Sequence, residues 1–153
     1  GLVRAVARSA RERHSKLRSS LQEQSLAIFA LVRGKEVWRI TGAMERENLY
    51  YSLKDEPEKL AALLRVTQLL LRLVQGEDKN EELFDAFCDG VVALKGSRSV
   101  EEIENSECMA VGKILRALGY MPRTDLLETS SFGPVERREL ATLINAALRE
   151  THL

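Results

Sequence analysis

Six cations and one acid fall in the first eighteen residues: Arg4, Arg8, Arg11, Arg13, Lys16 and Arg18 against Glu12. Guanidinium and ammonium groups at this density suit one kind of chemistry, the neutralisation of a polyanion with release of its condensed counterions. Crowded together without such a partner, they repel one another and cost stability. A solvated loop is the plainer alternative, but this ratio is more one-sided than solubility needs. Three further cations, Arg33, Lys35 and Arg39, flank the only tryptophan, Trp38.

Residues suited to other chemistry are scattered. Cys88 and Cys108 have no CxxC partner and no neighbouring histidine, so they read as small apolar residues in a reducing compartment. His14 and His152 have no sequence-local acid or nucleophile to form a relay. Glu101, Glu102, Glu104 and Glu107 are dense enough to suggest a metal, yet they begin a helical pattern, where acids complement the macrodipole. P-loop, dinucleotide, G-x-S-x-G and HExxH signatures are absent. Neither a catalytic group nor a cofactor is expected.

The zero net charge conceals a division. Residues 1–46 hold ten Lys and Arg against four Asp and Glu, whereas 47–153 hold thirteen against nineteen. A basic part is joined to an acidic one, which suggests that the basic part meets a polyanion. The longest apolar run, "LLRVTQLLLRLV", is broken by Arg65 and Arg72 and is far shorter than the ~20 residues a membrane helix needs.

The period of the sequence changes with the charge. In "LVRAVAR", strand alternation puts Val3, Ala5 and Ala7 on one face and Leu2, Arg4, Val6 and Arg8 on the other. "SARERHSKLRSS" reads as a loop. "SLAIFALVRGKEVWRITG" predicts a hairpin turning at Arg33-Gly34-Lys35, with Gly34 supplying a positive φ. Trp38 and Arg39 are strand neighbours, so an unbulged strand points them to opposite faces and gives one of them a structural role. Trp38 and Phe29 are core candidates.

From Met44 onward the pattern is helical. Pro57 opens a helix with Leu60, Leu63, Leu64, Leu70, Leu71 and Val74 as its apolar residues, and Gly76 stops it. Asn80 is an N-cap candidate for the next helix and Gly96 its C-terminal breaker. Ser99 and Glu102 fit a capping box for a third helix that closes at Gly119. Pro134 begins a fourth, with Leu140, Leu143, Ile144 and Leu148 on one face. The expected architecture is α+β, with a strand-rich module at 1–46 and a helical bundle at 47–153.

These segments carry a resemblance. "GLVRAVARSARERHSKLRSSLQEQSLAIFALVRGKEVWRITGA" is similar to the second half of the N-terminal domain of the recombination protein O (RecO) family. "DEPEKLAALLRVTQLLLRLV", "NEELFDAF" and "KILRALGYMP" resemble that family's helical domain. The resemblance implies a partial N-terminal OB-fold β-barrel followed by an all-helical bundle, in a bacterial, cytoplasmic and nucleoid-associated protein of recombinational repair. It implies binding to single- and double-stranded DNA, strand annealing, and interaction with RecR and single-stranded-DNA-binding protein. It also implies help in loading RecA onto coated DNA. The family's basic surface maps here onto Arg4, Arg8, Arg11, Arg13, Lys16, Arg18, Arg33, Lys35 and Arg39.

Two departures from the family qualify the resemblance. About two strands of the five-stranded barrel precede the position matching Gly1, which leaves an open barrel unless upstream residues or a partner complete it. Some relatives carry a four-cysteine zinc site where this chain reads "RTDLLETSSFGP", so no zinc is expected. A rival reading is a helical interaction adaptor whose basic segment docks on an acidic protein; a hydrolase is a distant third.

Overall fold

The computed structural model describes residues 1–7, 10, 17–129 and 132–150. The chain is α+β and divides into two compact units, Leu2–Pro57 and Glu58–Leu153, the second including Gly1. This division falls beyond the expected boundary at 46/47. Strand pairing holds the backbone with the sheet as far as Asn48, and a short helix after it also packs on the strands.

Among the described residues the first unit is built on three strands, β1 (Ala5–Val6), β2 (Ser25–Arg33) and β3 (Trp38–Asn48), in the order β1-β3-β2. β2 and β3 are antiparallel, whereas β1 runs parallel to β3 with Ala5 opposite Trp38 and Val6 opposite Arg39. Parallel pairing requires a crossover connection. Here it contains α1 (Leu17–Ser20), which lies against β3 with Leu17 and Ser20 buried. A strand, a helix and a hairpin in this arrangement are consistent with part of an OB barrel. Three strands cannot enclose a core, and Ile28, Val32 and Met44 stay exposed on the sheet.

Two expectations are overturned in this unit. Helical structure does not begin at Met44: residues 44–48 belong to β3, because pairing with Ser25–Ile28 overrides the helix propensity of Met, Glu and Arg. Nor does Gly34 have a positive φ; among the described residues only Gln24, Gly76 and Gly119 do. The loop is Gly34–Val37, not a tight turn centred on Gly34. The Gly34 N–H donates to the Val37 carbonyl at 3.0 Å, and a Cβ on Gly34 would stand 2.6 Å from that oxygen. Glycine is required there for close backbone approach.

Asn48 closes the sheet and starts α2 (Leu49–Leu53). Its Oδ1 accepts from the Tyr51 N–H at 3.1 Å, and its Nδ2 donates to Ser25 Oγ at 3.1 Å. The Leu49 N–H donates to the carbonyl of Gln24, which sits at φ 60°. One buried amide thus joins the end of β3 to the beginning of β2.

The second unit contains α3 (Pro57–Leu73), α4 (Glu81–Gly96), α5 (Val100–Ala117), a 3-10 turn (Asp125–Leu127) and α6 (Pro134–Glu150). Leu73, Leu115, Met121, Leu127, Leu140, Ile144 and Ala147 form one core cluster, and Val66, Leu83, Ala86 and Ile114 another. On α3 the buried residues include Ala62, Leu63, Val66 and Leu73, whereas Leu64 and Leu71 are exposed. Consecutive leucines cannot all share one face when each residue turns the helix by about 100°.

Asn80 caps α4 through a bond from the Leu83 N–H at 2.8 Å, as its position predicts. Gly96 does not break the helix. It is the last helical residue, and Ser97 caps the end by donating its N–H to Ala93 and Leu94. The buried Lys59 Nζ donates to the Lys95 carbonyl at 3.1 Å, placing positive charge where orphan carbonyls gather. Ser99 accepts from the Glu102 N–H at 3.2 Å, while the Glu102 carboxylate accepts from Arg98 N–H rather than from the cap residue itself.

Candidate nucleic-acid interface

Of the nine cations singled out in the sequence, Arg8, Arg11, Arg13 and Lys16 lie outside the described residues, as do His14 and His152. The remaining five are exposed. The sheet register decides which of them gather.

Arg33 is the last residue of β2 and pairs directly with Trp38, the first of β3. Directly opposed strand residues share a face, and the Arg33 guanidinium carbon lies over the Trp38 ring, 5.1 Å from its centroid. Val32 pairs with Arg39, so Arg39 belongs to the opposite face, together with Val6 of β1. The register irregularity nearest this end lies between Ala30 and Leu31, where Thr41 is the extra residue on β3 and donates to the Ala30 carbonyl at 3.2 Å. Trp38 and Arg39 therefore keep the strict alternation expected of an unbulged strand.

Although it belongs to the other face, Arg39 does not leave the loop. Its Nε lies 3.6 Å from where a Gly34 Cβ would be, so the side chain reaches along the strand towards the turn. Lys35 is exposed within the loop, and the register of β1 carries Arg4 to the same end of the sheet, one residue before Ala5. Arg18 lies on α1. The hairpin end thus combines Arg33, Lys35 and Arg39 with one loop carboxylate, Glu36, and a half-buried indole. The arrangement sets cations on both faces of the sheet at its hairpin end.

The other chemical candidates are engaged differently. Glu107 binds Arg65, Glu104 pairs with Arg137 at 2.7 Å, and Glu102 turns back to Arg98. These carboxylates tie helices together or cap one, and no group able to hold a metal occurs among the described residues. Cys88 and Cys108 are half-buried rather than fully buried. Burial pushes both thiols above their usual value; Asp85 and Asp89 add to the rise at Cys88, whereas Arg137 partly opposes it at Cys108. Low-pKa nucleophilic thiols would require the opposite shift. No described helix is long and apolar enough to cross a membrane.

The pairing of Arg33 with Trp38 is what the sequence reading missed. Only the four-residue loop sets the two residues opposite each other, and a tight turn at Gly34 would have placed Arg33 at its tip. The nearest sequence signal is Glu36-Val37, which lengthens the connection.

A strand–helix–hairpin sheet with a cationic end and a helical unit make an α+β protein, consistent with a partial OB-fold followed by a helical domain. Residues 54–126 match the family described as recombination protein O C terminal. DNA repair protein RecO of Polaromonas sp. is 32% identical over 88 residues, covering 57% of this chain and 34% of that protein. RecO of Paracidovorax citrulli is 30% identical over 136 residues, covering 88% of this chain and 52% of the relative. RecO of Roseiflexus sp. is 26% identical over 135 residues, covering 88% and 46%. These matches make the chain similar to RecO proteins and are consistent with a partial RecO. The chain spans about a third to a half of the length of these curated relatives. No solved structure matches.

Proposed function

We propose that this chain is a non-catalytic, DNA-binding part of a recombination mediator in DNA repair. The observation that carries the reading is the convergence of Arg33, Lys35 and Arg39 at one hairpin end. The basic stretch Arg4, Arg8, Arg11, Arg13, Lys16 and Arg18 supplies six further cations in sequence. Its cations neutralise phosphates of single- and double-stranded DNA, and annealing follows when two strands lose their mutual repulsion on one surface. RecR, single-stranded-DNA-binding protein and, indirectly, RecA are the partners that the resemblance to RecO suggests.

A labelled-oligonucleotide anisotropy titration at several salt concentrations tests this. If about six phosphates are neutralised, single-strand affinity falls with salt at a log–log slope of about −4. Changing Arg11, Arg13 and Lys16 together to Ala weakens binding to all sequences alike and leaves the melting temperature nearly unchanged, since phosphate contacts carry no base information. Absence of binding at low salt would overturn the reading. It would favour the adaptor instead, for which Phe84 and Val92, two strongly exposed apolar residues on α4, offer a protein-binding face.

A further inference from the structure

We infer that Arg33, seated over the Trp38 ring, is a nucleobase-stacking platform, so that the hairpin end reads unstacked bases as well as phosphates. The inference rests on the DNA-binding reading above and adds the class of ligand, single strands with accessible base faces.

Three observations lead to it. The direct opposition of Arg33 and Trp38 fixes both on one face of the ribbon. The guanidinium lies over the indole at 5.1 Å, within the range of a cation–π contact, and Arg33 nevertheless remains exposed. Arg39 and Lys35 lie beyond this stack, on the other face and in the loop, where phosphates flanking a stacked base can be met. Trp38 is half-buried and one of its ring faces carries Arg33, so it acts as a positioning residue. A guanidinium over the ring offers a base a second planar surface, and bases stack on such planes as they do on aromatic rings. A base inside a duplex has no free face to offer.

Trp38 is the only tryptophan in the chain, so its emission reports on this site alone. The test titrates an oligo-dT, an abasic oligonucleotide of equal length, and the duplex of the dT strand. Labelled-DNA anisotropy and Trp38 fluorescence are followed in parallel. The expected result is that oligo-dT changes Trp38 emission saturably, whereas abasic and duplex DNA bind without changing it. Arg33→Lys, which keeps the charge, weakens dT binding about five-fold or more and leaves abasic binding unchanged. If dT binds by anisotropy while Trp38 emission stays constant, the platform is disproved and the DNA-binding reading stands. If Arg33→Ala weakens dT and abasic DNA equally and Arg33→Lys restores both, Arg33 is only a phosphate contact and the inference fails. If no DNA binds at low salt, the underlying reading fails first.

Discussion

Arg65 on α3 and Glu107 on α5 meet side-on, with Nε donating to Oε1 at 2.7 Å and Nη2 to Oε2 at 2.6 Å. The bidentate fit raises the guanidinium's affinity for its proton, chiefly through the hydrogen bonds to Glu107. Arg65 is still 58% exposed, so water and salt screen much of the attraction. A double-mutant cycle of Arg65→Ala and Glu107→Ala in urea denaturation is expected to give a coupling of about 0.5–1 kcal/mol, shrinking in high salt. A coupling indistinguishable from zero at low salt would show that this pair does not fasten α3 to α5.

Gly90 on α4 faces Ala110 on α5. A Cβ at Gly90 would stand 2.7 Å from the Ala110 Cβ, closer than two methyl groups can come. Gly90→Ala improves helix propensity by about 1 kcal/mol, but forcing a methyl into a tight helix contact costs about 1–3 kcal/mol. Overpacking therefore wins, and the melting temperature falls. Ala110→Gly in the same chain relieves the contact; a Gly90→Ala variant as stable as the parent would refute the close packing.

Asn48 holds two kinds of bond, and substitutions separate them. Asn48→Ala loses both the α2 cap and the link to Ser25, at a cost of about 1–3 kcal/mol. Asn48→Ser keeps a side-chain oxygen that can cap Tyr51 and loses the Nδ2 donors without burying a charge, so its cost is smaller. Equal denaturation midpoints for the two variants would mean that the cap contributes nothing.

Cys108 gives a pH dependence with a definite sign. Burial is the larger influence on its thiol and Arg137 the smaller, opposing one, so the folded pKa lies above the unfolded value. The neutral thiol's contribution to stability is complete below the unfolded thiol pKa. It is lost as pH rises through the folded value, because the unfolded chain ionises first. Below that range, alkylation of Cys108 by iodoacetamide is slower than that of a free thiol, and its rate rises at higher pH. A rate profile matching a free thiol would contradict the burial.

The sequence by itself determined the helical unit to within a few residues. Pro57, Asn80, Ser99 and Pro134 mark helix starts through local backbone chemistry, and local chemistry is readable in one dimension. It also determined the charge division between 1–46 and 47–153 and the opposite facing of Trp38 and Arg39.

Only the tertiary structure decided where β3 ends, what Gly34 does, and which cations meet. Each depends on pairing between segments separated along the chain. Residues 44–48 have helix-forming side chains, yet they extend a strand because Ser25–Ile28 offer backbone partners. Arg33 reaches Trp38 only through the four-residue loop, and that loop closes only because Gly34 has no side chain to meet the Val37 carbonyl. Propensity acts within a few residues, whereas register is settled by hydrogen bonds between strands, and it was register that assembled the candidate site.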